Sequence, residues 1–177
     1  EILFLVIPVQ YLSGVLSKLK NSLNEKTIFV CCSKGLEMNS LKLPSQIVSS
    51  IFPKNKIAII SGPNFAAEIA KGLPAGTTVA SKSEEYKKKL QHSLNHITKT
   101  LFINDIIGSQ IAGALKNIYA IASGIVVGKK YGENAVASII SRSFAEITTV
   151  AKSMNAKKST LAGLSGMGDL FLTCSSK

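Results

Sequence analysis

At 177 residues, 46% of them hydrophobic, the chain is long enough to bury a core as one domain or two small ones. Twenty-one basic against ten acidic residues leave a net charge of +11, which suits phosphorylated small molecules, anionic membranes or nucleic acid. The lysines are scattered, and their one run, Lys87 to Lys89, lies on a polar helix without interleaved aromatics. It reads as a solvated face, and no nucleic-acid partner is expected.

From Ile2 to Ile7 the residues are continuously apolar, Pro8 breaks the run, and Tyr11 to Leu23 has helical spacing. Thr27 to Cys32 is a second apolar run, ended by Ser33-Lys34-Gly35. Pro44 opens a helix through Phe52, and Ile57 to Ile60 is a third strand. Ser61-Gly62-Pro63-Asn64 leads into a helix over Phe65 to Lys71, with Pro63 suited to its first turn and its free N–H groups open to an anion. Thr77 to Ala80, a polar helix over Glu84 to His96 and a last strand over Leu101 to Ile103 follow. Strands apolar on both faces and separated by helices predict an α/β fold, a parallel sheet covered on two sides.

After Ile103 the pattern is helical, so a boundary is expected near Asn104, giving units 1–103 and 104–177. Asn104 to Lys130 reads as one helix, with Asp105 at its start and Gly128-Lys129-Lys130 at its end. Its apolar positions cover most of its circumference, which predicts a buried helix. A transmembrane span is disfavoured: Lys116 near its middle would cost about 2.5–3.5 kcal/mol, and no Trp belt flanks it. Lys116 lies in line with Ala112 and Ala120, beside Gly113 and Ser123, so another element or a ligand can approach its amine closely. A second helix, Asn134 to Met154, carries Arg142 and Glu146 four apart, most simply a structural pair. A short one begins at Ser159.

A buried lysine loses hydration, and its pKa falls unless a carboxylate accompanies it, which makes an amine able to exchange a proton near neutral pH. A snorkelling or structurally paired lysine fits the same helix. Lys34, just past a strand end, can be a counter-charge for phosphate or a plain loop lysine. Gly163-Leu164-Ser165-Gly166-Met167-Gly168 precedes Asp169, which can partner Lys116 or cap a helix. In a parallel sheet, the strand ends at Pro8, Ser33 and Ser61 would meet at one edge, where α/β proteins bind ligands. Cys31, Cys32 and Cys174 lack metal spacing and fit reduced thiols in a cytoplasm; Cys31 and Cys32 should point to opposite faces. His92 and His96 lack the glutamate of HExxH, so no metal is expected.

Four segments, SKGLE from Ser33, SGPNFAAEIAKGLPAGTTVAS from Ser61, IAGALKNIYAIASGI from Ile111 and LAGLSGMGDLFLTCSS from Leu161 to Ser176, resemble the bacterial NAD(P)-dependent glycerol-3-phosphate dehydrogenases, in that family's order. The resemblance implies a partial Rossmann-type sheet followed by an incomplete helical domain. It also implies interconversion of dihydroxyacetone phosphate and sn-glycerol 3-phosphate, with NAD or NADP, for glycerophospholipid synthesis. By matching position, Lys116 resembles the catalytic proton acceptor and donor. Asp169, Lys34, Gly62 and Asn64 match substrate contacts, Asn117 and Thr173 fall beside them, and Lys34, Ala66 and Tyr11 match cofactor contacts. A phosphorylated small molecule is then the partner, the location cytoplasmic, an integral membrane segment is not implied, and a homodimer is open.

The chain departs from the family's pattern in three ways. Asn64 stands where serine is usual, the GxGxxG-type start would lie before Glu1, and the arginine segment would follow Lys177. Both ends therefore read as truncations, and the chain alone is expected not to oxidise NADPH with dihydroxyacetone phosphate. A non-catalytic remnant, or another dehydrogenase of the 6-phosphogluconate and β-hydroxyacid group, are the alternative readings.

Overall fold

The computed structural model describes residues 1–175; Ser176, the last residue of the Leu161–Ser176 segment, and Lys177 lie outside the described residues. Five strands form one sheet in sequence order: β1 (Ile2–Leu5), β2 (Ile28–Cys31), β3 (Ile57–Ser61), β4 (Gly76–Ser81) and β5 (Lys99–Ile103). Helices α1 (Val9–Leu19) and α2 (Pro44–Ile51) pack on one face, and α4 (Glu84–Leu94) on the other. Between β3 and β4 lies α3 (Ala66–Ala70). After β5 the described chain is helical: α5 (Gly108–Gly128), α6 (Glu133–Ser153), α7 (Lys158–Leu161), a π-helical turn over Leu164–Gly168, and α8 (Asp169–Ser175).

The apolar spacing of the sequence explains the layers. Val9, Leu12 and Leu16 repeat at three and four residues, so α1 turns one stripe inward. That stripe meets Phe29, Ile47 and Ile59, and the rings of Phe29 and Phe52 lie 4.7 Å apart. Leu12 and Leu16 are fully buried, each contributing about 1.5–3 kcal/mol by leaving water. The opposite face of the sheet buries Ile28, Val30, Ala58 and Val79 against Leu90 of α4. A third cluster, including Ile111, Ile140, Ile147, Leu161 and Leu170, holds the helices together.

The expected α/β class holds, with one strand reversed. β1, β2 and β3 are mutually parallel, but β4 runs antiparallel to β3, and β5 is parallel to β4. The cause is the link between β3 and β4. A crossover must carry the chain back along the sheet, and the five residues of α3 rise only about 7.5 Å against about 16 Å for the five of β3. The chain therefore turns back directly, and β4 begins at the edge where β1, β2 and β3 end.

Three further expectations need correction. Helix α3 starts at Ala66, so Pro63 precedes it, and one helical turn is too short to present a strong dipole to an anion. Lys87 is buried rather than solvated, because its ammonium reaches Glu84 and Asn104 and so ties α4 to the end of β5; Lys88 and Lys89 are exposed. Helix α5 is not buried along its length: Ile118, Ile121 and Ile125 are 63%, 66% and 55% exposed. Apolar composition makes burial favourable, but only a packed neighbour produces it. The length and mean hydropathy of 1.5 would let this helix cross a membrane. Its middle, however, carries a paired lysine, and its inward side packs on α6 and α8.

Asp105 does more than begin a helix. Its Oδ1 accepts the N–H of Gly108 at 2.9 Å and its Oδ2 the N–H of Lys157 at 2.8 Å, fixing the starts of α5 and α7 together. Arg142 and Glu146 pair at 3.1 Å on the surface of α6, where such a pair contributes at most about 0.5 kcal/mol.

Cys31 and Cys32 do face opposite sides of the sheet. Burial pushes the Cys31 thiol up to about 12, with the Cys32 charge adding to it, and the Cys32 thiol up to about 11. Their thiolate fraction at pH 8 is accordingly small, and alkylation by iodoacetamide is expected to run at least about 100-fold slower than for a free thiol until the protein is denatured. Mass spectrometry of timed samples checks this; rapid labelling of the native protein contradicts it. Because both folded pKa values lie above the ordinary 9.0, the stability these thiols contribute is full below pH 9 and is lost as the pH rises towards 11 and 12.

Candidate active site

Three elements converge on one carboxylate. Asp169 begins α8 directly after the π-helical turn, and its side chain is only 2% exposed. Its Oδ1 lies 2.8 Å from Lys116 Nζ and its Oδ2 2.6 Å from Lys34 Nζ. Lys116 comes from α5 and Lys34 from the loop after β2, so one buried carboxylate joins the sheet to two helices. The Lys34 ammonium also lies 3.5 Å from the carbonyl of Gly62, at the end of β3.

The local sequence makes this approach feasible. Gly113, one turn before Lys116, faces the Lys34 stem: a Cβ there would lie 3.3 Å from Lys34 Cδ and 3.7 Å from Asp169 Oδ2. The small residues beside Lys116 thus admit a second lysine across the helix. Ser123 donates to the Cys174 carbonyl at 2.8 Å, holding α8 against α5.

Lys116 Nζ also donates to Thr173 Oγ1 at 2.8 Å, and that hydroxyl donates its own proton to the Asp169 carbonyl at 2.7 Å. Among the described residues these two acceptors take two of the three ammonium protons, which leaves one for a ligand oxygen. The Lys116 side chain is 12% exposed and that of Lys34 31%, so the cluster opens to solvent through Lys34. Burial lowers the Lys34 pKa below its ordinary value; Asp169 works against that shift, and the like charge of Lys116 reinforces it. Two ammonium groups against one carboxylate leave the site positive, which favours a phosphate-bearing ligand.

At the same edge, Asn64 Oδ1 accepts from Thr77 Oγ1 at 2.9 Å, and the Thr77 hydroxyl meets that of Thr98 at 2.9 Å. The reversal of β4 creates this contact. Gly62 has φ +148°, and a Cβ on it would lie 3.0 Å from the Gly76 carbonyl, so the crossing requires glycine. The buried Ser61 Oγ has no hydrogen-bond partner among the described residues, leaving a hydroxyl at this edge for a ligand or water to satisfy.

Lys34, Gly62, Lys116, Asp169 and Thr173 are therefore gathered, with Asn64 on the adjoining rim. Asn117 is exposed on α5, and Tyr11 and Ala66 are exposed at the starts of α1 and α3. The bond from Lys34 to Asp169 and the Asn64–Thr77–Thr98 chain were not foreseen from sequence. The first spans 135 positions, and the second depends on the strand reversal.

A sheet whose strand ends deliver one lysine, closed by helices that deliver a second lysine and a carboxylate, defines a Rossmann-type α/β protein with a helical layer over its ligand edge. Comparison with known proteins narrows the class. The N-terminal and C-terminal family models of NAD-dependent glycerol-3-phosphate dehydrogenase match residues 1–87 and 105–177. Curated glycerol-3-phosphate dehydrogenases [NAD(P)+] from Parvibaculum lavamentivorans and Zymomonas mobilis are 41% and 43% identical, each over 99% of this chain and over 53% and 51% of their own lengths. The crystal structure of glycerol-3-phosphate dehydrogenase from Coxiella burnetii superposes with a TM-score of 0.93 at 33% identity, over 99% of this chain and 54% of that one. The chain belongs to the NAD-dependent glycerol-3-phosphate dehydrogenase family, and it spans about half the length of the curated relatives it matches.

Proposed function

We propose that the chain carries the substrate-handling groups of a glycerol-3-phosphate dehydrogenase, which interconverts dihydroxyacetone phosphate and sn-glycerol 3-phosphate for glycerophospholipid synthesis. The observation that carries this reading is the Lys116–Asp169–Lys34 cluster at the strand ends. Reduction of a ketone leaves an alkoxide, which needs a proton donor; oxidation needs the same group to take the proton back. Among the described residues Lys116 has one N–H left for that oxygen, and the Asp169 carboxylate holds its ammonium in place. Lys34 and the Gly62 turn face the phosphate end, and Asn64, held by Thr77, hydrogen-bonds a substrate oxygen.

NAD or NADP, when bound, supplies or accepts the hydride. The residues fit its reactive end. Ser33 Oγ donates to the Ile7 carbonyl at 2.6 Å, which keeps the ends of β1 and β2 side by side, with Lys34 following β2, Tyr11 in the first turn of α1 and Ala66 at the start of α3 beyond β3. The same reading divides the chain into 1–103, the second part of a nucleotide-binding unit, and 104–177, the start of a helical substrate unit. Cytoplasmic residence belongs to it as well and rests on the resemblance.

The test is a titration of the 177-residue chain with sn-glycerol 3-phosphate, followed by amide NMR. Saturable shifts are expected around Gly62, Lys116 and Thr173, at least about tenfold weaker in Lys116→Met, which keeps Lys34 paired with Asp169. Absence of a saturable response, or one indifferent to Lys116→Met, overturns the reading.

A further inference from the structure

A cavity of about 570 Å³ lies at the other end of the sheet, about 16 Å from the lysine cluster by the length of β3. Its walls come from the start of α2, the residues after β4 and β5, and the turn between α6 and α7. Ile107 and Met154 give it an apolar surface, while Lys82, Lys157, Asn104 and Asn155 bring polar heads.

Basic charge outweighs acidic charge in this cavity, two ammonium groups against one carboxylate. Among the described residues neither Lys82 nor Lys157 enters an ion pair. Its one carboxylate, Asp105, has each oxygen committed to a backbone N–H. A smaller adjoining cavity shares Lys82 and adds Lys56. A volume of this size suits a small molecule, and the apolar surface with two ammonium groups that enter no ion pair among the described residues selects one that is both apolar and anionic.

We propose that this cavity is a second binding site, for an organic anion in which a phosphate or carboxylate is carried on a compact apolar group. The anionic end meets Lys82 and Lys157, the asparagines donate to its oxygens, and the apolar body covers Ile107 and Met154. Such a ligand bridges the sheet to the α6–α7 turn and touches the residues that begin α5, the helix that also carries Lys116.

Phenyl phosphate, inorganic phosphate and benzyl alcohol, each titrated into the full chain and followed by amide NMR, test the proposal. Phenyl phosphate is expected to shift Asn104, Ile107 and Asn155 saturably, with inorganic phosphate and benzyl alcohol each at least tenfold weaker. The double variant Lys82→Ala/Lys157→Ala is expected to weaken phenyl phosphate at least tenfold, and Lys18→Ala/Lys20→Ala, at the end of α1 and lining neither cavity, to leave it unchanged. Any anion response at Gly62 or Thr173 belongs to the lysine cluster and is expected to survive the Lys82/Lys157 change, so the two sites are read separately. Because Lys82 and Lys157 are exposed, the double variant keeps the fold, which its unshifted core amides verify. No saturable shift at Asn104, Ile107 and Asn155, or equal binding by the double variant, overturns the proposal.

Discussion

Gly166→Ala is expected to be the most damaging single-methyl addition in this protein, lowering stability by more than about 3 kcal/mol. A Cβ at Gly166 would overlap the Leu161 carbonyl oxygen and lie 2.5 Å from that residue's carbonyl carbon and Cα. The obstruction is backbone, so no rotamer change relieves it. The π-helical turn would have to move off α7, and this turn leads directly into Asp169. Thermal denaturation should show a loss of several degrees, together with weakened response to sn-glycerol 3-phosphate. Gly124→Ala is the control: nothing lies within 4 Å of its Cβ, it sits inside α5, and alanine is the better helix former by about 1 kcal/mol. A stabilised Gly124→Ala beside a crippled Gly166→Ala separates steric from conformational effects. A Gly166→Ala protein as stable as the parent contradicts the packing described.

This contrast between two glycines shows what could be read from the sequence. Apolar runs and their spacing located every strand and all the longer helices, because side-chain periodicity is local. They did not encode the direction of β4, which follows from the shortness of α3, a matter of a few helical residues. Nor did they separate the covered from the uncovered side of α5, since Ile111 and Ile121 are alike as residues and differ only in their neighbours. Lys87 misled for the converse reason: a lysine among lysines reads as solvated unless its distant acceptor, Asn104, is known.

The candidate site was legible in its members and not in its wiring. Lys116 and Asp169 could be paired because a buried amine calls for a carboxylate. That the same carboxylate also takes Lys34 requires the path of the loop after β2 across Gly113, which no local pattern contains. The helix start beyond Gly62 was expected to receive an anion; instead the positive charge at that edge comes from the lysines, whose shared anion makes the cluster sensitive to a single substitution.

Asp169→Asn is expected to lower stability by about 3 kcal/mol at pH 7 and to make the remainder strongly pH-dependent. Removing one partner of a buried ion pair leaves uncompensated charge and costs about 3–5 kcal/mol; the lower end applies because the Lys34 side chain is 31% exposed and water screens it. The amide matches the carboxylate in size, so the loss is electrostatic rather than steric. Burial already lowers the Lys34 pKa in the parent, and Asp169 is what opposes that shift. In the variant the depression deepens. Between the depressed folded value and about 10.4 in the unfolded chain, the unfolded state holds more protons, so stability rises with pH through that window. The deficit relative to the parent should therefore narrow between pH 7 and pH 10. The cysteine thiols, which weaken both proteins above pH 9, cancel in the difference. Urea denaturation of both proteins across this range measures it. A deficit constant with pH would mean that Asp169 acts by shape, and no deficit at all would mean that the two lysines do not depend on it.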